Sequence, residues 1–138
     1  MKAAKRGTVQ LAALPWRNQG RLEVLLITSR ETRRWVIPKG WPMKGLPAPE
    51  AAAREAFEEA GVKGEVDPLA IGYYAYEKLM GDGSLRPLDV DVFALRVTEL
   101  LDEWPEKGQR ERRWFTPPEA ADAVDEADLG TILRRFEG

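Results

Sequence analysis

Residues 54–61 read Arg-Glu-Ala-Phe-Glu-Glu-Ala-Gly, which places Glu55, Glu58 and Glu59 at i, i+3 and i+4. On a helix that spacing gathers three carboxylates along one edge. As a purely structural choice the arrangement is unfavourable. Like charges three or four residues apart cost about 0.2–0.5 kcal/mol per pair. Negative charge in the last helical turn opposes the macrodipole by a further ~0.3–1 kcal/mol per residue. A hard divalent cation would reverse the sign of both effects, because Mg²⁺ prefers carboxylate oxygens and usually keeps waters or substrate phosphates as its remaining ligands. The competing reading is a solvated Ala/Glu-rich surface helix.

The flanking charge favours the chemical reading. Residues 30–44 carry Arg30, Arg33, Arg34, Lys39 and Lys44 against Glu31 alone, a local +4. Residues 47–60 carry Glu50, Glu55, Glu58 and Glu59 against Arg54, a local −3. A cationic loop beside a carboxylate cluster suits a metal–polyphosphate ligand. The carboxylates hold the metal, and the basic groups hold the phosphate oxygens it does not reach.

Composition narrows the chemistry further. The 138 residues contain no histidine and no cysteine. That excludes a Ser-His-Asp triad, thiol catalysis, disulfides and His- or Cys-ligated zinc, and it accords with a reducing, cytoplasmic location. Net charge is only −2, so no nucleic-acid partner is expected. The start, MKAAKRGTVQLAALPW, loosely resembles a signal peptide, but Gln10 and Pro15 interrupt its apolar run, and a first strand is the better reading. No stretch approaches the roughly 18 apolar residues of a membrane span, so no membrane partner is expected.

The elements that must position these groups follow from the pattern of apolar residues and breakers. Residues 9–14 read as a strand ended by Pro15, and residues 18–20 (Asn-Gln-Gly) as a turn. Residues 23–28 (EVLLIT) read as a buried strand and residues 35–37 as a short strand stopped by Pro38. Residues 39–49 hold two glycines and three prolines and read as a loop. A helix then runs from Pro49 to about Ala60, with Gly61 as its C′ residue. Ala53, Ala56, Phe57 and Ala60 form its expected docking stripe. An aromatic strand within residues 65–80, a Gly-Asp-Gly-Ser turn and a strand at 88–98 form a hairpin. An acidic linker around Trp104 leads to a last strand at 113–115 and a helical tail opened by Pro117-Pro118. The expectation is one mixed α/β domain over residues 1–138.

The stretch from Gly40 to Val62 resembles the Nudix box, G-x5-E-x7-R-E-U-x-E-E-x-G-U with U apolar. Gly40, Arg54, Glu55, Ala56, Glu58, Glu59, Gly61 and Val62 fall on their positions, and Leu46 stands where the pattern has its first glutamate. Glu50, four residues before Arg54, is a candidate replacement for that support. RRWVIPKG, REAFEEAGVKG, VTELLDEW and RERRWFTPPEA are similar to the diphosphoinositol polyphosphate phosphohydrolase branch, so the likeness spans most of residues 5–124. PKGWPMKGLP, in place of a more acidic, glycine-rich loop, and Asp89, in place of a basic residue, depart from that branch.

The resemblance implies a Nudix-type α/β/α sandwich with a mixed central sheet. It also implies a Mg²⁺-dependent pyrophosphohydrolase, with Mn²⁺ as an alternative ion. Glu55 and Glu59, with the Lys39 backbone carbonyl, would hold metal. Glu58 would be the general base and would count among the metal ligands as well. Lys5, Arg6, Ser29, Arg30 and Arg110 would contact polyphosphate, and Gly40, Arg54, Glu50 and Gly61 would support the box. The implied partner is a small anionic phosphorylated substrate, a diphosphoinositol or dinucleoside polyphosphate. The alternatives are a nucleotide-pool or nucleoside-diphosphate-X hydrolase, and a nucleotide-sensing module without turnover. A monomer or a homodimer is expected.

Among the aromatics, Trp41 alone sits in a Gly/Pro loop beside the carboxylate helix and is the candidate for stacking on a base. Asp89, Asp91, Glu106 and Glu111 are the candidates for a distal metal ligand.

Overall fold

A computed structural model describes residues 9–138. In chain order its elements are β1 (Val9–Asn18), β2 (Leu22–Thr28), β3 (Trp35–Val36), β4 (Lys39–Gly40), α1 (Ala48–Ala60), β5 (Val62–Val66), β6 (Gly72–Leu79), β7 (Leu85–Leu100), β8 (Arg112–Phe115), α2 (Pro117–Ala123) and α3 (Ala127–Arg135). The strands form one mixed sheet, β3-β2-β1-β7-β5, with β4 on β1, β6 on β7 and β8 on β2. β1 and β7 run parallel, from Val9 opposite Asp89 to Trp16 opposite Arg96.

Alternation along the two central strands builds the two cores. Leu11 and Ala13 of β1, with Leu25 and Ile27 of β2, pack against Ala51, Ala52, Ala56 and Ala60 of α1. Ala12, Leu14, Val24 and Leu26 point the other way, onto Ala120, Ala121, Leu129 and Leu133 of α2 and α3. This is the expected α/β/α sandwich: period-2 residues face a helix on each side of a sheet buried on both faces.

Several details differ from the sequence reading. β1 continues through Pro15 to Asn18. The Ala13 N–H donates to the Pro38 carbonyl, so by strand alternation Pro15 faces the same edge. There the β1–β2 ladder begins only at Trp16, and the missing N–H of proline forfeits no ladder bond. Residues 39 and 40, expected in a loop, pair with Ala12 and Leu11 as β4. The region after Gly61 holds two strands, β5 and β6, and the helical tail is two helices. The docking stripe of α1 is also rotated from the one expected. Ala52, Ala56 and Ala60 form its buried centre, while Ala53 and Phe57 are only partly buried.

Candidate active site

The rows of α1 decide which carboxylates meet. Ala52, Ala56 and Ala60 lie on the sheet, so the adjacent i,i+4 row, Ala51, Glu55 and Glu59, runs along the edge of that contact. Glu55 and Glu59 therefore stand together at the margin of the core, and Glu59 is only 8% exposed. The next row is Glu50, Arg54 and Glu58. Here Glu58 pairs with Arg54 at 4.0 Å, both half-exposed. The three-carboxylate convergence expected from spacing is therefore a pair with a neighbour. Among the described residues, no three Asp or Glu side chains are gathered into a ready-made metal cage.

Burial raises the proton affinity of the Glu55–Glu59 pair. Glu59 is pushed up to about 8, chiefly by desolvation, against the opposing pull of the Arg110 guanidinium. Desolvation also raises Glu55. The neighbouring Glu55 carboxyl adds to the rise at Glu59, so the metal-free pair favours protonation. A pair that holds a proton only because burial disfavours its charge is a pair that a cation can occupy. Two carboxylates with neighbouring backbone fit Mg²⁺, which is commonly held by one or two carboxylates, waters and substrate phosphates. Mn²⁺ takes the same oxygen ligands.

β4 brings the backbone to this pair. The Lys39 N–H donates to Glu59 Oε1 at 3.4 Å. The contact seen at Lys39 is thus its N–H rather than the carbonyl expected as a ligand. Gly40, opposite Leu11, leaves room for the carboxylate beneath it: a Cβ there would lie 2.3 Å from Glu55 Oε2. Its role in the box is close approach, since only a residue without a side chain lets Glu55 reach this place. Gly61 ends α1 in the left-handed conformation (φ 67°), and its N–H donates to the Phe57 carbonyl.

The pair opens into a cleft of about 440 Å³ lined by Gln10, Ser29, Arg30, Lys39, Trp41, Tyr76, Lys78 and Arg110 among others. A second hollow of about 400 Å³ shares Ser29, Arg30, Lys39, Tyr76, Lys78 and Arg110 with it. Cations therefore stand on the wall common to both. Arg110 is nearly buried and bridges three elements. It reaches Glu59 Oε1 at 3.8 Å and Glu106 Oε1 at 3.0 Å, and donates to the Thr28 carbonyl at 3.2 Å. The Lys39 ammonium lies 4.8 Å above the Tyr76 ring, and burial lowers its proton affinity. Among the described residues Lys39 has no ion-pair partner within salt-bridge distance. Tyr76 donates to Gln10 Oε1 at 2.5 Å. Trp41 is 42% exposed on the cleft wall.

Most of the expected residues are brought together: Lys39, Gly40, Glu55, Glu59, Ser29, Arg30, Trp41 and Arg110 all line the main cleft. Others stand elsewhere. Glu58 faces Arg54, and Arg54 pairs with Glu58 rather than with Glu50. Leu46 and Glu50 line a separate groove beside Phe57 and Lys63, so neither completes the cleft. Lys5 and Arg6 lie outside the described residues. Of the distal carboxylates, Glu106 reaches the site through Arg110. Glu111 is exposed and absent from the cleft lining, touching Thr28 Oγ1 only through its backbone N–H. Asp89 and Asp91 pair with β1 and β6 beyond the cleft lining. Lys78 and Tyr76 were missed. Their signal was present in Tyr74, Tyr76 and Lys78 alternating along β6, which places the lysine at the end of an inward face.

The NUDIX domain family model matches residues 7–136. Over 119 residues the chain is 42% identical to "Nudix hydrolase 12, mitochondrial" of Arabidopsis thaliana, covering 84% of this chain and 59% of that protein. It is 38% identical over 107 residues to "Diphosphoinositol polyphosphate phosphohydrolase 3-alpha" of Mus musculus, covering 75% of this chain and 61% of the relative. The chain thus spans about 60% of the length of these curated relatives. The crystal structure of C. elegans Ap4A hydrolase superposes with a TM-score of 0.65 at 20% identity, covering 94% of this chain and 95% of that one, a likeness of fold.

Proposed function

The chain belongs to the Nudix family, and on that premise we propose that it hydrolyses a diphosphate linkage in a highly phosphorylated substrate, a diphosphoinositol polyphosphate or a dinucleoside polyphosphate. The observation that carries this reading is the buried Glu55–Glu59 pair facing a wall of Arg30, Lys39, Lys78 and Arg110. A single diphosphate would engage the carboxylate end alone. The second hollow, beyond the same cations, is room for further phosphates.

Glu55 and Glu59, with the Lys39 backbone carbonyl, would hold Mg²⁺ or Mn²⁺. When bound, that ion polarises phosphoryl oxygens and stabilises the charge on the leaving phosphate. The chain's own groups supply the rest. Arg110 and Lys39 orient the phosphate oxygens that project into the cleft, Arg110 through its planar fork and Lys39 as a point charge. Ser29 stands at the mouth, where its hydroxyl holds Thr32 Oγ1 at 2.5 Å and accepts the Arg34 N–H at 3.0 Å. It fixes the loop that presents Arg30. As a water oxygen bonds to phosphorus and the bridging P–O bond breaks, a carboxylate must accept the water proton. Glu58 is proposed for that role. Its pair with Arg54 is half-exposed and long, so turning it toward the water costs little. Lys5 and Arg6 belong to the same proposal as further polyphosphate contacts.

Trp41 favours a second reading, a nucleoside-diphosphate-X hydrolase, because an exposed indole on the cleft wall can stack on a nucleobase. A substrate panel with products identified by mass spectrometry separates the two. Preferred turnover of diphosphoinositol or dinucleoside polyphosphates supports the first. Preferred turnover of nucleoside-diphosphate sugars or ADP-ribose rejects it. Release of nothing from any compound in the presence of Mg²⁺ would leave a nucleotide-sensing module.

A further inference from the structure

α1 ends with two carboxylates, Glu58 and Glu59, in its last turn and no basic residue there. A helix so charged works against its own dipole. The counter-charge comes from elsewhere in the chain. Arg112, at the start of β8, donates through Nη1 to the carbonyls of Ala60 (2.9 Å) and Gly61 (3.3 Å), and through Nη2 to that of Leu101 (2.7 Å). Its guanidinium carbon lies over the Trp104 ring, 4.0 Å from the centroid. Trp104 in turn fills the space beside Gly61, where a Cβ would meet its ring at 2.5 Å. The Trp104 Nε1 is buried without a hydrogen-bond partner, so packing rather than polar contact sets the ring's position.

These contacts join two segments that both reach the cleft. The loop between β7 and β8 is bonded to the end of α1 twice more, by the Leu101 N–H to the Gly61 carbonyl (2.8 Å) and the Glu106 N–H to the Glu58 carbonyl (3.0 Å). The same loop delivers Glu106 and Arg110, and Arg110 reaches Glu59. We propose that Arg112 and Trp104 are positioning residues that clamp the C-terminal end of α1 to the 101–110 loop. The clamp fixes the register of the Glu55–Glu59 carboxylates against Arg110 before any ligand arrives. Lysine cannot replace the arginine in full: it offers a point charge where the site uses a planar fork on three carbonyls and a stacking face.

The inference takes the identity of the cation from the proposed function, and its test does not depend on turnover. In Arg112→Met the side-chain stem remains and the fork is lost. Mg²⁺ affinity, measured by calorimetry, is expected to fall about tenfold, as for other groups that orient ligands from behind. Amide exchange at Leu101 and Glu106 is expected to accelerate at least about tenfold, the sign of local opening, while that at Ala51 near the start of α1 stays unchanged. Arg112→Lys should give an intermediate loss, and it carries the test if the methionine variant does not fold. Wild-type Mg²⁺ affinity and exchange in the folded variant would overturn the proposal. So would faster exchange with unaltered Mg²⁺ affinity, which would make the clamp structural only. If the unaltered protein takes up no Mg²⁺, the functional reading fails. In that case exchange at Leu101 and Glu106, with the wild-type Glu59–Arg110 spacing judged by a solved variant structure, still decides the clamp.

Discussion

Replacing Glu59 by glutamine isolates the energetic consequence of burying the carboxylate pair. In the folded, metal-free protein Glu59 holds its proton up to about pH 8, against 4.5 for an unperturbed glutamate. Between those values the folded chain binds a proton that the unfolded chain has released, so stability must fall as pH rises through the window. Each unit of difference is worth about 1.4 kcal/mol, which bounds the loss at roughly 5 kcal/mol between pH 4.5 and 8. Against a typical domain stability of about 5–15 kcal/mol, that is large enough to measure without ambiguity. Glutamine keeps an oxygen to accept the Lys39 N–H and carries no charge, so Glu59→Gln should be nearly flat across the window, with a small remaining slope from Glu55. The assay is denaturant unfolding of both proteins in chelator at pH 5.5, 7.0 and 8.5. Saturating Mg²⁺ should remove most of the wild-type slope by displacing the Glu59 proton, and should leave the variant's almost unchanged. Wild-type stability that is level or rises with pH, or a variant with the wild-type slope, would refute the reasoning.

Other perturbations separate the parts of the site. Gly40→Ala places a methyl 2.3 Å from the Glu55 carboxylate, so Mg²⁺ affinity by calorimetry should fall by about 10–100-fold, the range for displaced metal-site geometry; unchanged affinity would show that Glu55 does not bind the ion. Lys39→Met and Lys78→Met should each raise KM for a polyphosphate by about tenfold, the loss of one charge-assisted contact, with a smaller effect on a simple nucleoside diphosphate; equal effects on both would remove the extended-substrate argument. Glu58→Gln should lower kcat by about 10²–10⁴-fold, the usual contribution of a general base, with folding cooperativity intact by circular dichroism; wild-type kcat would transfer the proton-accepting role elsewhere.

What the sequence revealed, and what it concealed, follow from the same physics. The nearly continuous apolar run of β2 made a buried strand legible, while the sandwich around it was legible only through the resemblance to the Nudix box. The carboxylate helix was legible from local spacing. Its rotation was not: spacing alone does not say whether Phe57 or Ala52 meets the sheet. The small residues Ala52, Ala56 and Ala60 took the contact, which turned Glu55 and Glu59 inward and left Glu58 with Arg54. Pro15 was read as a strand end, although a proline facing a gap in the ladder does not stop a strand. Lys78 became a cleft residue only once β6 paired with β7, and Arg112 became a helix cap only once its side chain reached the end of α1 from the start of β8. The alternation of Tyr74, Tyr76 and Lys78 hinted at the first, whereas no local pattern encodes the second, a long-range contact. The missing cation in the last turn of α1 was the one sequence clue that a distant residue had to supply it.

The central claim is that this cleft directs water onto a phosphorus of a diphosphate linkage with the help of a divalent ion held at Glu55 and Glu59. Turnover of a diphosphoinositol or dinucleoside polyphosphate in ¹⁸O-labelled water, followed by mass spectrometry across a Mg²⁺ titration, tests it most directly. One ¹⁸O atom is expected in one phosphorylated product per cleavage, with a rate that rises with Mg²⁺ and vanishes with chelator, and with that signal lost in Glu55→Gln and Glu59→Gln. Cleavage that persists in chelator, or that is undiminished in both variants, would contradict it.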